Sequence, residues 1–166
     1  MNIDIFILAR LGSSRLPEKH LKLINGKPAI YHLIHRIKKS KKIRKIVICT
    51  TNLKSDDKLV QYLKEEDVEV FRGDNENVLK RILDASKFYQ TDIIIDVEGD
   101  KIYIDPEFID IVVNEFKSSK IEYVIGNDSQ SKFNPSHGIH GIIPTGFTTR
   151  SIEKVCRLKI KNNTDT

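Results

Sequence analysis

The stretch IDIFILARLGSSRLPEKHLKLINGK, residues 3–27, decides how the rest of this chain is organised. Its opening run, Ile3 to Leu8, is rich in β-branched and aromatic side chains and is typical of a buried β-strand. The segment that follows, Ala9 to Lys27, combines a glycine, two serines and several cations. We therefore predict a strand that delivers a polyphosphate-binding loop to the edge of a sheet.

The candidate nucleotide-binding residues of this loop offer backbone groups, hydroxyls or fixed positive charge. Gly12 stands where the backbone must bend or approach a ligand closely. The candidates are Ala9, Arg10, Leu11, Gly12, Ser13, Ser14, Arg15 and Lys19. Their spacing matches neither the Walker loop nor the Gly-x-Gly-x-x-Gly dinucleotide fingerprint, so neither of those two sites is indicated.

The same loop resembles the signature of the sugar nucleotidyltransferases. The matching residues are Arg10, Gly12, Ser13, Arg15, Pro17 and Lys19. The likeness is greatest to the cytidylyltransferase branch, which includes the acylneuraminate and 3-deoxy-manno-octulosonate enzymes and the spore-coat polysaccharide biosynthesis protein F group. The resemblance implies that Arg15 and Lys19 are catalytic, because they hold the triphosphate and neutralise the departing pyrophosphate.

A second likeness lies in residues 71–81, where Phe-Arg-Gly-Asp is followed by Val-Leu-x-Arg as in the spore-coat group. It implies that Arg72, with Asp74 beside it, lies close to the base or ribose of the nucleotide. The competing interpretation is an ordinary salt bridge between Arg72 and Asp74 or Glu76.

Gly99-Asp100 resembles the Gly-Asp that follows the fourth strand in this superfamily, where the aspartate binds magnesium. We therefore expect Asp100 to be a catalytic residue and a Mg²⁺ ligand, since magnesium prefers carboxylate oxygens. The alternative is that Asp100 is a turn or capping residue. His137 and His140 also invite a metal interpretation, but they lack a cysteine or carboxylate partner at ligand spacing, and a structural or substrate-facing role is favoured.

The periodicity along the chain predicts alternating strands and helices. Strands are expected at Ile3–Leu8, Lys45–Thr50, Val68–Arg72, Asp92–Val97, Tyr123–Gly126 and Gly138–Ile143, with a polar loop at 127–137 before the last of them. Helical patterns follow the first four strands, one of them capped by Asp105-Pro106, and a final helix is expected at Thr148–Leu158. This order predicts an α/β three-layer sandwich with a doubly wound, mostly parallel sheet. The resemblance makes it Rossmann-like, of the nucleotide-diphospho-sugar transferase type, with one domain over 1–158 and a polar tail over 159–166.

The charge of the chain is mildly basic, with 28 Lys and Arg against 23 Asp and Glu and a pI of about 9.1. Many of the cations crowd between Lys38 and Lys45, where a nucleic-acid patch and a solvated helix end are both conceivable. No aromatic residues interleave the run to stack on bases, so we expect no nucleic-acid partner.

Cysteine content and hydropathy favour a cytoplasmic protein. Cys49 and Cys156 are too few and too poorly spaced for a zinc cluster, and we predict that both are reduced packing residues. No apolar run approaches the roughly 18 residues that a membrane span requires, and no charged leader precedes the first strand.

The chain departs from the family pattern in three respects. Glu18 stands where many relatives have glycine, which puts a negative charge in the phosphate loop. Lys101 and Tyr103 replace the Cys-Pro or Glu-Pro that usually follows Gly-Asp. Family members are commonly longer, so we expect either a partner subunit, as in a homodimer, to complete the acceptor site or the chain to be a truncated or degenerate member.

The resemblance implies a Mg²⁺-dependent cytidylyltransferase that transfers CMP from CTP to a sugar or sugar acid for surface polysaccharide biosynthesis. One alternative is a glycosyltransferase of the same fold, which would require an Asp-x-Asp motif that Glu98-Gly99-Asp100 only approximates. Another is a noncatalytic nucleotide-binding protein, which Glu18 and the short chain would favour.

Overall fold

The computed structural model describes residues 1–125 and 142–162 of the chain. Its strands are β1 (Ile3–Leu8), β2 (Leu23–Ile24), β3 (Lys27–Pro28), β4 (Lys45–Thr51), β5 (Glu69–Gly73), β6 (Ile93–Glu98), β7 (Tyr123–Val124) and β8 (Thr145–Thr148). Its α-helices are α1 (Ala29–Ile37), α2 (Asp57–Leu63), α3 (Val78–Phe88), α4 (Pro106–Ser118) and α5 (Thr149–Asn162). Short 3-10 turns cover Lys19–Leu21 and Lys54–Asp56.

The main sheet has six strands in the order β5-β4-β1-β6-β8-β7. The first four strands of that order are parallel to one another, whereas β8 runs antiparallel to both of its neighbours. At the carboxyl end of β1, Leu8 stands opposite Cys49 of β4 and Glu98 of β6. The expectation of a mostly parallel α/β sheet is confirmed, and the strand order reverses beside β1, where such sheets bind ligands.

Helices cover both faces of this sheet. Side chains of α1, α2 and α4 share one buried cluster with Ile5 and Ile7 of β1. Side chains of α3 and α5 share a second cluster with Phe6, which points to the opposite face. Ile5, Phe6 and Ile7 are fully buried, and each contributes about 1.5–3 kcal/mol by leaving water. The three-layer arrangement is therefore anchored on β1, the strand that leads into the candidate loop.

Side-chain caps start the two helices that border the carboxyl edge of the sheet. The Asn77 carboxamide accepts a hydrogen bond of 2.9 Å from the Lys80 amide at the start of α3. The Asp105 carboxylate accepts one of 2.8 Å from the Glu107 amide, ahead of Pro106, as its sequence predicts. Such caps are worth about 1 kcal/mol each.

Some elements differ from the expectations. The hairpin of β2 and β3, which turns at Asn25 and Gly26 with positive φ angles of 48° and 76°, was not predicted because each strand has only two residues. Helix α5 continues beyond the expected end at Leu158 to Asn162, so it includes part of the predicted tail.

The last part of the sheet also departs from the expected strands. Ile142 and Ile143 lie in a turn, and β8 begins only at Thr145. The rest of the strand expected at Gly138–Ile143, the expected loop at 127–137, and both His137 and His140 lie outside the described residues.

The lysine-rich segment lies at the amino edge of the sheet, next to a groove of about 770 Å³. Arg44 donates to Asp4 at 2.9 and 2.6 Å, Lys45 donates to Glu69 at 2.6 Å, and Lys42 pairs with Asn114. Part of its charge is therefore compensated, as expected for a solvated helix end, and the segment is remote from the carboxyl edge.

Candidate active site at the carboxyl edge of the sheet

A cleft of about 400 Å³ opens where β1 and β6 end. The loop after β1 forms one wall, the end of β6 forms another, and a residue of α3 completes it. The lining residues are Leu8, Ala9, Arg10, Ser13, Ser14, Arg15, Lys19, His20, Arg81, Glu98, Gly99 and Asp100. The structure thus brings together most of the loop residues predicted from the sequence, together with Asp100.

The loop is held in place from below by Asp56. Its carboxylate accepts hydrogen bonds from the Leu11 amide at 2.7 Å, the Thr50 hydroxyl at 3.0 Å and the Thr51 amide at 3.2 Å, and also from the Thr51 hydroxyl. Burial by itself would raise the pKa of Asp56, but these hydrogen bonds lower it below its usual value. Sequence reasoning missed Asp56, because nothing in the local pattern links it to a loop 45 residues away.

Leu11 and Gly12 have different functions from the other predicted loop residues. The Leu11 side chain is buried in the core, so its contribution to the site is to anchor the loop. A side chain added at Gly12 would meet no atom within 4 Å, and its φ is not in the left-handed range. The chain itself therefore does not require glycine here, and the open space is available to a ligand.

Arg10 and Arg15 line the cleft with exposed side chains. Neither guanidinium forms an ion pair with a carboxylate among residues 1–125 and 142–162. Together with the hydroxyls of Ser13 and Ser14, they give the cleft positive charge and hydrogen-bond donors. This arrangement suits phosphate oxygens.

Lys19 and Asp100 face each other across the cleft and form an ion pair. Burial by itself would raise the pKa of Asp100, but the Lys19 ammonium lowers it, so the carboxylate is ionised at neutral pH. Both side chains are partly exposed, so a ligand can reach them. The structure thus brings Lys19 of the loop and Asp100 of the β6 end together at one edge of the sheet.

His20 is a cleft residue that sequence reasoning missed. It is only 3% exposed, and burial lowers the pKa of its imidazole, so the ring is neutral at pH 7. Its Cε1 would lie 2.8 Å from a side chain added at Gly99, and the Leu8 carbonyl oxygen would lie 2.9 Å from it. Gly99 is therefore required by packing between His20 and β1.

Glu18 adopts the left-handed conformation, with φ 53° and ψ 27°. Glycine adopts this conformation without strain, so a glycine would suit the position. The Glu18 carboxylate turns to Lys58, which donates to it at 2.8 Å, and this contact lowers the pKa of Glu18. The negative charge is thus paired outside the cleft-lining residues.

Arg72 and Asp74 are not among the residues that line the cleft. The Arg72 guanidinium donates to the Thr51 and Leu53 carbonyl oxygens at 2.9 and 2.8 Å and to Asp57 at 2.6 Å. Its ion-pair partner is therefore Asp57, and neither Asp74 nor Glu76. The Asp74 carboxylate accepts from the backbone amides of Asn77 and Glu76, which lowers its pKa, so it shapes the turn before α3.

The residues around Asp100 fit a magnesium site whose coordination is completed by the substrate. Glu98 and Asp100 both line the cleft, and Mg²⁺ is commonly bound by one or two carboxylates together with substrate phosphates and water. The described residues contain no group of three or more His, Cys, Asp or Glu side chains arranged for a metal. The donor set therefore suits an ion delivered with a polyphosphate better than a permanently bound one.

Asp96, on β6 below Glu98, is a second titratable group that the sequence did not single out. Its Oδ1 atom is buried without a hydrogen-bond partner in the described part of the chain. Burial, together with the charge of Glu98, raises the pKa of Asp96 to about 7.

The two cysteines are both free, as predicted, and burial raises the pKa of the Cys49 thiol well above its usual range. Within residues 1–125 and 142–162, no helix combines the length and apolarity that crossing a membrane requires.

Comparisons with known proteins agree with this geometry. A family model described as Cytidylyltransferase matches residues 5–136. A relative in Bacillus subtilis, the spore coat polysaccharide biosynthesis protein SpsF, is 34% identical over 118 residues, which are 68% of this chain and 49% of that protein. The 3-deoxy-manno-octulosonate cytidylyltransferase 2 of Hydrogenovibrio crunogenus is 36% identical over an aligned region of 129 residues. The match covers 72% of this chain and 48% of that protein. The chain thus spans about half the length of the curated relatives it matches.

Solved structures give the same result. The chain is similar to a cytidylyltransferase from Leptospira borgpetersenii, with a TM-score of 0.82, 33% identity, and coverage of 95% of this chain and 64% of the other. A CMP:2-keto-3-deoxy-manno-octonic acid synthetase complexed with CTP has a TM-score of 0.71 at 19% identity, and the match covers 95% of this chain and 78% of the synthetase chain. The second likeness supports the fold alone.

Proposed function

The chain belongs to the cytidylyltransferase family, and on this premise we propose that its cleft binds CTP with Mg²⁺ and transfers CMP to a sugar or sugar-acid hydroxyl. The observation that carries the proposal is the pairing of opposite charges across the cleft. Arg10 and Arg15 on the loop after β1 have no carboxylate partner among the described residues, while Asp100, just after β6, pairs with Lys19 of the same loop. Unpaired guanidinium groups on one wall and carboxylates on the other are what a metal-bound triphosphate requires.

In the proposed reaction, the acceptor hydroxyl attacks the α-phosphorus of CTP in line. An oxygen–phosphorus bond forms, the bond to the bridging oxygen of pyrophosphate breaks, and the hydroxyl proton is released. Arg15 and Lys19 would hold the triphosphate and stabilise the charge that collects on the leaving pyrophosphate. Asp100, with Glu98 beside it, would hold the magnesium ion, which when bound neutralises phosphate charge.

The acceptor class is part of the proposal. The named relatives include a spore coat polysaccharide biosynthesis protein and 3-deoxy-manno-octulosonate cytidylyltransferases, so a sugar or sugar acid destined for a surface polysaccharide is the proposed acceptor. A cytoplasmic location is proposed as well, since two free cysteines fit a reducing compartment. The homodimer stays a prediction, as does the division into a domain over 1–158 and a tail.

Isothermal titration with CTP, with and without magnesium, tests the binding half of the proposal. We expect CTP to bind, and we expect Arg15→Ala and Asp100→Ala each to weaken binding about tenfold or more, because each removes a charge that the triphosphate complex contacts. Arg36→Ala, which removes an exposed arginine of α1 outside the cleft, is the matched control and should bind as the wild type does. Absence of CTP binding, or unchanged binding in both cleft variants, would contradict the proposal.

Pyrophosphate release across a panel of sugars and sugar acids tests the chemical half. We expect release with at least one acceptor, and a loss of about 10²–10³ in kcat for Arg15→Ala. Nucleotide binding without turnover on any acceptor would favour the noncatalytic alternative. Release of free nucleotide from a nucleotide sugar would favour the glycosyltransferase.

A further inference from the structure

Both carboxylates in the wall of the cleft are already paired with a lysine. Asp100 forms an ion pair with Lys19, which lies in the 3-10 turn that follows the loop after β1. The Oε1 atom of Glu98 lies 3.7 Å from the ammonium nitrogen of Lys101. Within the described part of the chain, no other Asp or Glu side chain lines the cleft. A divalent cation that enters the cleft alone therefore meets no carboxylate without a positive partner.

The charge of the cleft wall also opposes a bare cation. Four cationic side chains line it, against the two carboxylates, and they are Arg10, Arg15, Lys19 and Arg81. Positive charges gathered in a concave surface repel a metal ion more strongly than the same charges on an open surface do. A nucleoside triphosphate brings several negative charges to the same place, so it reverses this balance.

The backbone fixes Asp100 in place, whereas the Lys19 ammonium group can move. The Gly99 amide donates to the Leu8 carbonyl oxygen at 2.9 Å, and the Ile102 amide donates to the Asp100 carbonyl oxygen at 3.0 Å. These bonds hold the chain on both sides of the carboxylate. Lys19 carries its charge at the end of a long, flexible side chain that is 26% exposed. Its ammonium group can therefore leave Asp100 for a stronger acceptor without a change in the fold.

We infer that the Lys19–Asp100 ion pair blocks free Mg²⁺ from Asp100, and that the triphosphate of CTP releases Asp100 by drawing Lys19 to its phosphate oxygens. This inference rests on the proposed binding of CTP with Mg²⁺. The ammonium group and a metal ion compete for the carboxylate, because their positive charges repel each other. The two ligands therefore bind with positive coupling, and by linkage the metal raises the affinity for CTP by the same factor. The protein takes up the metal with the nucleotide.

Titration of the nucleotide-free protein with Mn²⁺, followed by the electron paramagnetic resonance signal of the free ion, tests the block. Mn²⁺ takes the same oxygen ligands as Mg²⁺. We expect Lys19→Met to bind Mn²⁺ about tenfold or more tightly than the wild type, because the variant leaves the Asp100 carboxylate unpaired. Arg15→Met is the matched comparison: it removes the same charge from the same cleft but frees no carboxylate. It should raise the affinity only about twofold, since solvent ions screen the charge that it removes.

The double variant Lys19→Met/Asp100→Asn shows where the additional metal binds. We expect it to lose the gain in Mn²⁺ affinity that Lys19→Met alone produces, because the freed carboxylate is then absent. An affinity of Lys19→Met equal to that of the wild type or of Arg15→Met would overturn the inference. So would a gain that persists in the double variant.

A second measurement uses the wild-type protein and so does not depend on how the variants fold. Bound Mn²⁺ is paramagnetic and broadens the nuclear magnetic resonance signals of nearby backbone amides, here those of Gly99 and Asp100. We expect Mn²⁺ together with CTP to broaden these two signals, and the same concentration of Mn²⁺ alone to leave them sharp. Equal broadening without the nucleotide contradicts the block. If the wild type binds no CTP at all, the proposed function fails first, whereas CTP binding with equal broadening removes only this inference.

Discussion

The two strand ends that flank β1 differ in how completely their polar groups are satisfied. Beside the end of β4, the carboxylate of Asp56 collects hydrogen bonds from Leu11, Thr50 and Thr51. Along β6, Asp96 has a buried oxygen without a partner in the described residues, and Glu98 and Asp100 line the cleft. The β4 flank therefore holds the loop rigidly, while the β6 flank keeps one unsatisfied buried carboxyl, that of Asp96, beside the charge of Glu98.

Removing the Asp56 carboxylate from the β4 flank should have the largest effect on stability. Asp56→Asn places an amide donor where Asp56 accepts from Thr51 and removes the charge that strengthens these bonds. We expect a loss of about 2–4 kcal/mol in the free energy of unfolding, because buried donors are left unpaired. Urea denaturation at pH 7 measures this, and Asp57→Asn, one residue on and exposed, should cost far less. Equal losses in the two variants would mean that Asp56 is no special anchor.

The same residue gives a pH dependence of definite sign. The folded protein lowers the pKa of Asp56, so its stabilising contribution is present above the unfolded pKa of about 3.9 and is lost as the pH falls toward the folded value. The stability difference between the wild type and Asp56→Asn should therefore be constant from pH 8 to pH 5 and shrink below about pH 4.

Removing the buried charge of Asp96 on the β6 flank should raise the stability of the protein rather than lower it. The folded pKa of Asp96 is raised to about 7, so ionisation costs stability progressively as the pH rises from the unfolded pKa through that value. We expect Asp96→Asn to stabilise the protein by about 2–4 kcal/mol at pH 8 and to have little effect at pH 4. Asp92→Asn, on an exposed residue just before the same strand, is the control and should show no such profile. A pH-independent effect of Asp96→Asn would show that packing governs the position.

Sequence patterns could supply the scaffold and the loop, for identifiable reasons. The parallel strands are continuous apolar runs, and the resemblance places Lys19 and Asp100 on neighbouring strand ends, where the structure pairs them. The anchoring by Asp56 and the burial of His20 could not be read in this way, because each depends on contacts between segments distant in sequence. The contacts of Arg72 could not be predicted for the same reason, because its partners Asp57 and Leu53 lie in the connection after another strand.

Gly99 and Gly12 should differ in how much stability is lost when a methyl group is added. Gly99→Ala, on the β6 flank, would bring its new methyl group within 2.8 Å of His20 and 2.9 Å of the Leu8 carbonyl oxygen, and should cost about 1–3 kcal/mol of stability. Gly12→Ala meets no atom within 4 Å and should change stability by no more than about 0.5 kcal/mol. If the open space at Gly12 receives the triphosphate, the same variant should weaken CTP binding, which titration would measure.

Glu18→Gly should have the smallest effect, and its sign decides what this residue contributes. Glycine relieves the left-handed strain at φ 53° but gives up the contact with Lys58 and loosens the unfolded chain. Because an exposed ion pair contributes little, relief of strain should prevail and raise Tm by about 3 °C. Glu18→Ala loses the same charge without relieving the backbone, so it should lower Tm. If both variants lower Tm equally, the Lys58 contact matters more than the strain, and Glu18 belongs with the rigid β4 flank rather than with the phosphate-binding surface of the loop.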